Sequence, residues 1–379
     1  MKDLRLKRVD YDKQQSRTIE FLRFPLTVGI ILSHTLYFFD VPFGFSSGTS
    51  SIFEHLEGLN SYAIIRYLLS SLIPRCCVPT FLFISGFLLF YNIQEYNLKT
   101  YHRKLHSRIY TLLIPYILWN LFQMGYVFVL YFTRDVPLPN NLWTWLCFFW
   151  GSSGIQEPIN NSLWYVLEIM MFAVLSPIVY ILFKYLRFWP IIAIFGLFLC
   201  GLAQGGYLDP LYLFFLLSGA YFGYEKINIC HFVEQINKHR TIVYLSTVLL
   251  FVSCFCFEGL PKSLYGERHS LGMRILSISY ICSMILSLFC LVSSNLQANR
   301  IKTIALLSGC SFFIYCLHLT FPFTITDAFV DKYFNGSPSY ICIMVHIAMI
   351  LFRLLTCMLI YAIMKAKCPK VLNILVGKR

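Results

Sequence analysis

The sequence predicts an all-α, polytopic integral membrane protein of about ten transmembrane helices, and three observations predict it. Of 379 residues, 58% are hydrophobic and 18% aromatic while only 13% are charged, too little charge to cover a soluble protein of that size. Apolar runs long enough to cross a hydrocarbon core recur from one end of the chain to the other. The basic residues gather in alternate loops, the pattern of a chain that crosses a membrane repeatedly.

In chain order, spans are expected over 18–39, 62–91, 109–132, 163–183, 188–203, 207–224, 241–258, 271–294, 303–326 and 340–364. The second contains Pro74 and Pro79 and should kink or begin as a separate short helix. The loop 133–162 carries Trp143-Thr-Trp-Leu-Cys-Phe-Phe-Trp150, too short to span and suited to the membrane boundary. Loops on the N-terminal side hold 22 of the 31 Lys and Arg and the opposite loops 4, so both termini are expected in the cytoplasm. The net charge of +13 is then topological, and nucleic acid is not an expected partner. Fourteen cysteines without a C-x-x-C pair read as small buried hydrophobes, not as a disulfide framework or metal ligands, and no metal is expected. The basic and polar residues 1–17 have no apolar core of a cleavable signal, so the first span should direct insertion. The chain 1–379 reads as one domain, with a cytoplasmic segment 1–17 and a basic cytoplasmic tail 365–379.

Five constellations carry chemistry. Arg23 and His34 lie eleven residues apart in the first span. At about 100° and about 1.5 Å per residue they share a helix face and are separated by about 16 Å, which puts an arginine at the membrane edge and a histidine near its centre. Ionisable groups at that depth are costly and mark function by default. Lys104 and Arg108, four apart, share a face and with Arg103 would hold a phosphorylated ligand, although each singly also fits ordinary positive-inside charge. Arg75 precedes Val78-Pro-Thr-Phe-Leu-Phe-Ile-Ser85-Gly86 in an apolar setting, where Ser85-Gly86 reads as helix packing. Glu168, following Asn161-Ser-Leu-Trp164, is the acid placed well inside a span and hence the expected partner of a buried base or arginine. Tyr315-Cys-Leu-His318 brings a second intramembrane histidine, whereas His346 has no polar company in the pattern and reads as structural.

Taken together these residues resemble the membrane acyltransferase-3 family. The Arg-x10-His of Arg23 and His34 is similar to its first-span signature, and Leu22-Arg-Phe-Pro-Leu26 to its exopolysaccharide-modifying members. Arg75 through Phe87, Arg108 followed by Pro115-Tyr116, Leu163-Trp-Tyr165 with Ser176-Pro177, and Tyr315-x-x-His318 fall in register with its later motifs, across essentially the whole chain. Two departures stand out. Leu167-Glu168 occupies the place of an Arg-acid pair, and the appended soluble hydrolase-like domain of some members is not expected within residues 1–379, so a partner protein or the membrane part would complete transfer.

The resemblance implies an inner-membrane enzyme that transfers an acyl group, usually acetyl, from cytoplasmic acyl-CoA to a hydroxyl of a cell-surface or lipid-linked glycan. It implies that Arg23, Arg103, Lys104 and Arg108 attract the donor phosphates and that Arg75 also serves the donor, at its thioester oxyanion. His34 would act as general base or acyl carrier with Glu168 beside it, while Trp164, Tyr315 and His318 contact substrate. Acetyl-CoA would be the co-substrate, with membrane lipids and polysaccharide-assembly proteins as neighbours. Two rival classes are an exporter or flippase of a polysaccharide or small solute, whose broken helices usually come in repeats not visible here, and a purely structural subunit of an assembly complex.

Overall fold

A computed structural model of the chain describes residues 2–35, 61–91, 93, 95–134, 137–151, 158–203, 205–258, 268–295 and 301–377. Among them every regular element is helical. Residues 36–39 of the first expected span, and parts of the loops 133–162, 259–270 and 295–302, lie outside the described residues.

Helix α1 (Lys2–His34) is one continuous helix, polar in its first half and apolar in its second. Ile19, Leu22, Leu26 and Ile30 recur at three- and four-residue spacing and are all buried. That stripe makes α1 the central rod of the bundle, packed against α2 (Ser61–Tyr91), α8 (Ile229–Asn237), α10 (Arg268–Asn295), α11 (Ile301–Leu317) and α13 (Ser339–Lys367). At its N-terminal end, polar side chains dock it onto α8: the Gln15 side-chain oxygen accepts from the Ile229 amide at 2.7 Å, and the Tyr11 hydroxyl donates to Glu234 at 2.5 Å.

The expected interruption of α2 is present. Its helical geometry widens over Leu68–Leu72, tightens over Ile73–Cys76 around Pro74, and becomes regular over Cys77–Tyr91. Helix α3 (Leu98–Thr133) starts where the Asn97 side chain accepts from the Thr100 amide at 2.9 Å. It widens again over Ile109–Leu113, just before Pro115, which brings no backbone donor. The tryptophan-rich segment forms only the short α4 (Leu142–Cys147), capped by Asn141.

Among the described residues, six helices are long and apolar enough to cross a membrane: α2, α3, α5 (Asn161–Leu186), α9 (Arg240–Glu258), α10 and α13. Of the other four expected spans, residues 18–34 of the first belong to continuous α1, and three depart from simple crossings. Helices α6 (Trp189–Cys200) and α7 (Pro210–Tyr224) are apolar but short, because Gly201 in left-handed geometry and Asp209 as the cap of α7 end and begin them early. The expected span 303–326 is not one helix. It stops at Leu317, and Leu307–Leu317 makes a 69° bend with α12 (Phe321–Phe334), whose second residue is Pro322. The last span runs three residues past its expected end, and residues 369–375 of the basic tail form α14 (Pro369–Leu375). That helix is docked, with Leu372 buried and the Trp119 indole donating to the Leu375 carbonyl at 3.1 Å.

The tightest helix pair is α2 with α7. A Cβ on Gly86 would fall on the Leu216 carbonyl, one on Gly219 on the Phe83 carbonyl, and one on Gly223 on the Phe87 carbonyl. Small residues let two backbones touch where lipid offers no hydrophobic drive. Gly219→Val should therefore cost about 1–3 kcal/mol or more, read as a lowered melting temperature in detergent. Gly196→Ala, whose Cβ meets open space, should leave it unchanged or raise it.

Candidate active site

Two cavities are stacked along the helix axes. The order of their lining residues along α1 shows this: Glu20, Arg23 and Thr27 face the first, Ser33 and His34 the second. On α2 the order reverses, with Ser70 to Pro79 at the second and Phe81 to Leu88 at the first. The first has a volume of about 640 Å³ and the second about 590 Å³, sizes that fit small-molecule sites.

The first cavity is basic. Arg23, Lys104 and Arg108 line it together with Glu20, and Ser107, Ser308, Gly309 and Ser311 supply a neutral polar strip. Arg103 does not line it and is exposed. Lys104 and Arg108 reach it because α3 starts at its Asn97 cap and has turned about once per four residues by Arg108. The second cavity is mixed in charge: Arg75, Glu168 and Asp209 line it with His34, Trp164, Tyr207 and Tyr212. Arg75, grouped by sequence with the donor arginines, is thus placed with His34. Asp209 is already engaged, its carboxylate accepting from the Leu211 and Gly205 amides at 2.9 and 3.0 Å. Glu168 accepts from the Leu208 amide at 3.2 Å through Oε1, and its buried Oε2 has no partner among the described residues.

Aromatic rings lie between the Arg23 cavity and the His34 cavity. Phe81, Tyr165 and Tyr315 floor the first cavity, with centroids 6.1 Å apart for Phe81 and Tyr165 and 5.8 Å for Tyr165 and Tyr315. Trp164, one residue before Tyr165, faces the other cavity and lies 4.9 Å from Tyr212. The series continues from Tyr315 to His318 at 6.1 Å and from His318 to His34 at 5.6 Å. His318 lines neither cavity; it is 0% exposed, at the bend between α11 and α12. Its Nδ1 lies 2.8 Å from the Tyr315 carbonyl, which can only accept, so Nδ1 carries the proton and Nε2 a lone pair.

Polar contacts hold the ring layer. The Tyr315 hydroxyl donates to the Ser162 carbonyl, and the Tyr165 hydroxyl meets the Ser85 hydroxyl at 2.9 Å. Ser85 is therefore a lining residue of the first cavity and not a packing residue; Gly86 alone packs. Asn160 and Asn120, which the sequence did not single out, knit the start of α5 to α3 and α11. The Asn160 amide nitrogen donates to the Cys316 carbonyl at 3.0 Å, its backbone donates to Asn120 at 3.2 Å, and its oxygen accepts from Ser162 at 2.7 Å. A buried asparagine inside an apolar run was the available signal. His346 also has polar company, with Nδ1 3.1 Å from the Tyr62 hydroxyl.

A sequence-family model, Acyl_transf_3, described as an acyltransferase domain, matches residues 17–363. No curated protein and no solved structure matches the chain.

Truncating Asn160 to alanine removes the acceptor of the Ser162 hydroxyl and the side-chain donor to the Cys316 carbonyl in a buried site, while the backbone bond to Asn120 remains. The expected cost is about 1–3 kcal/mol, measured as a lowered unfolding temperature.

Proposed function

The chain belongs to the membrane acyltransferase-3 family, and from that premise we propose that it is a multi-pass O-acyltransferase of the inner membrane. It would move an acyl group, most simply acetyl, from cytoplasmic acyl-CoA to a hydroxyl of a cell-surface or lipid-linked glycan. The observation that carries this reading is the pair of stacked cavities, one basic and one holding His34, with a single layer of rings between them.

By the positive-inside pattern the basic cavity opens to the cytoplasm. Arg23, Lys104 and Arg108 suit the donor diphosphate, and exposed Arg103 would add attraction at the mouth. The neutral strip from Ser308 to Ser311 suits a pantetheine arm that carries the thioester to Tyr165 and Tyr315. The acceptor enters the second cavity, where the faces of Trp164 and Tyr212 offer a platform for a sugar ring and Glu168 Oε2 an acceptor for its hydroxyls. The rings of the floor must part for thioester and hydroxyl to meet.

In the transfer step the acceptor oxygen adds to the thioester carbonyl while His34 takes the hydroxyl proton. Arg75, in the same cavity, stabilises the tetrahedral oxyanion. Collapse breaks the C–S bond, the imidazolium returns its proton to the leaving thiolate, and CoA departs through the first cavity. Membrane lipids surround the enzyme, and polysaccharide-assembly proteins are its expected neighbours.

Binding of acetyl-CoA to the detergent-purified chain tests the donor side. Arg23→Ala and Arg108→Ala should each weaken it by roughly tenfold, and added salt should narrow the difference. His34→Ala should keep donor binding and lose roughly 100-fold or more in transfer, the scale of a general base. Unchanged transfer in His34→Ala would remove the base from this reading.

A further inference from the structure

We propose that Arg353 and Asp327 form a positioning device that holds the C-terminal end of α1, and with it His34, against the bent α11–α12 limb. The inference rests on the reading of His34 as the base. Among the described residues Arg353 is the largest fully buried side chain, 0% exposed, and sits fourteen residues from either end of α13. At about 1.5 Å per residue that is about 21 Å of helix on each side, deep in the apolar zone. A guanidinium there is costly unless its donors are engaged, and such a residue defaults to function.

Its engagements are specific. Nη1 donates to the backbone carbonyl of His34 at 2.9 Å, and Nη2 is ion-paired with the Asp327 carboxylate on α12. The guanidinium carbon lies 5.7 Å from the centre of the Phe323 ring, also on α12. His34 is the last residue of α1, so its carbonyl is one of the four that a helix leaves without an internal partner. It also stands at the negative end of the helix dipole, where a cation is favoured. One planar fork thus satisfies a helix end and a carboxylate together, which the single ammonium of a lysine cannot do with the same geometry.

The consequence reaches both imidazoles. His34 carries its ring on the same Cα whose carbonyl Arg353 grips. Asp327 lies on the helix that begins three residues after His318, whose ring centre is 5.6 Å from that of His34. The clamp therefore fixes the backbones behind both rings, and neither Arg353 nor Asp327 lines a cavity. It acts through His34, as a positioning pair.

The test is a double-mutant cycle on the full chain in native membranes, with acetyl-CoA as probe and release of the CoA thiol as readout, corrected for membranes lacking the chain. Arg353→Lys should lower kcat by roughly 10- to 100-fold, the scale of a small misplacement of a catalytic group, with KM for acetyl-CoA within about threefold. In a His34→Ala background the same change should remove nothing further, because a positioning residue has nothing left to position. Asp327→Asn keeps the size and an acceptor oxygen, and should lower kcat by roughly 3- to 10-fold with the same loss of effect in the His34→Ala background. It decides the matter should Arg353→Lys fail to fold. Equal losses in both backgrounds, a rise confined to KM, or wild-type kcat in the variant that folds would overturn the proposal. Wild-type turnover in His34→Ala would instead overturn the base itself, and the positioning role with it, so the two failures are told apart.

Discussion

In hydrocarbon every backbone donor and acceptor must find a partner inside the protein, and that constraint arranges the rest of this molecule. Helices satisfy it by themselves only while they stay regular. Where they do not, a side chain or a neighbouring helix has to step in, and those are the places where the chemically capable residues gather. Arg75 sits in the tightened turn of α2, Arg108 just ahead of the widened turn of α3, and Trp164 one residue after the turn Asn161–Leu163. His318 occupies the bend between α11 and α12, and His34 the end of α1. The irregular backbone is kept at depth because Asn160, Asn120 and Arg353 supply what the missing helical bonds would have given.

The two cavities differ in charge. Three cations and one acid face the first, while the second holds one arginine, two acids and an imidazole. A cavity with that excess of cations has the chemistry to hold a phosphate group, whereas the other offers mixed donors, acceptors and ring faces. Tyr165 and Tyr315 stand between them with their hydroxyls already bonded, to Ser85 and to the Ser162 carbonyl. Their rings are thus held edge to face and not left to swing, and opening the floor means breaking two hydrogen bonds.

Much of this was legible in the sequence. The crossings announced themselves as apolar runs, the interruption of α2 by its prolines, and the basic cluster by the four-residue spacing of Lys104 and Arg108. His34 and Glu168 were found because charge-capable side chains are rare at that depth, and they do share a cavity. What could not be read were relations between distant residues. Arg353 and His34 are 319 positions apart, Asn160 and Cys316 are 156 apart, and Tyr62 and His346 are 284 apart. Periodicity speaks only for one element at a time, so it aligned Arg23 and His34 on one helix face without the ring layer that lies between their cavities. The bend at His318 was missed because an apolar run hides a break as short as three residues.

The hairpin of α6 and α7 has a bearing on the lipid around the molecule. Twelve and fifteen residues make helices of about 18 and 22 Å, against a hydrocarbon thickness of about 30 Å. Their connecting residues Gly205, Gly206, Tyr207 and Asp209 line the second cavity, so this mouth is set by the short side of a hydrophobic mismatch. A bilayer meets such a shortfall by thinning or by letting headgroups and water settle inward. The floor of the cavity is then nearer to bulk water than its position in the bundle suggests, and a hydrophilic molecule at that mouth would meet a dimple in the membrane surface before it met oil.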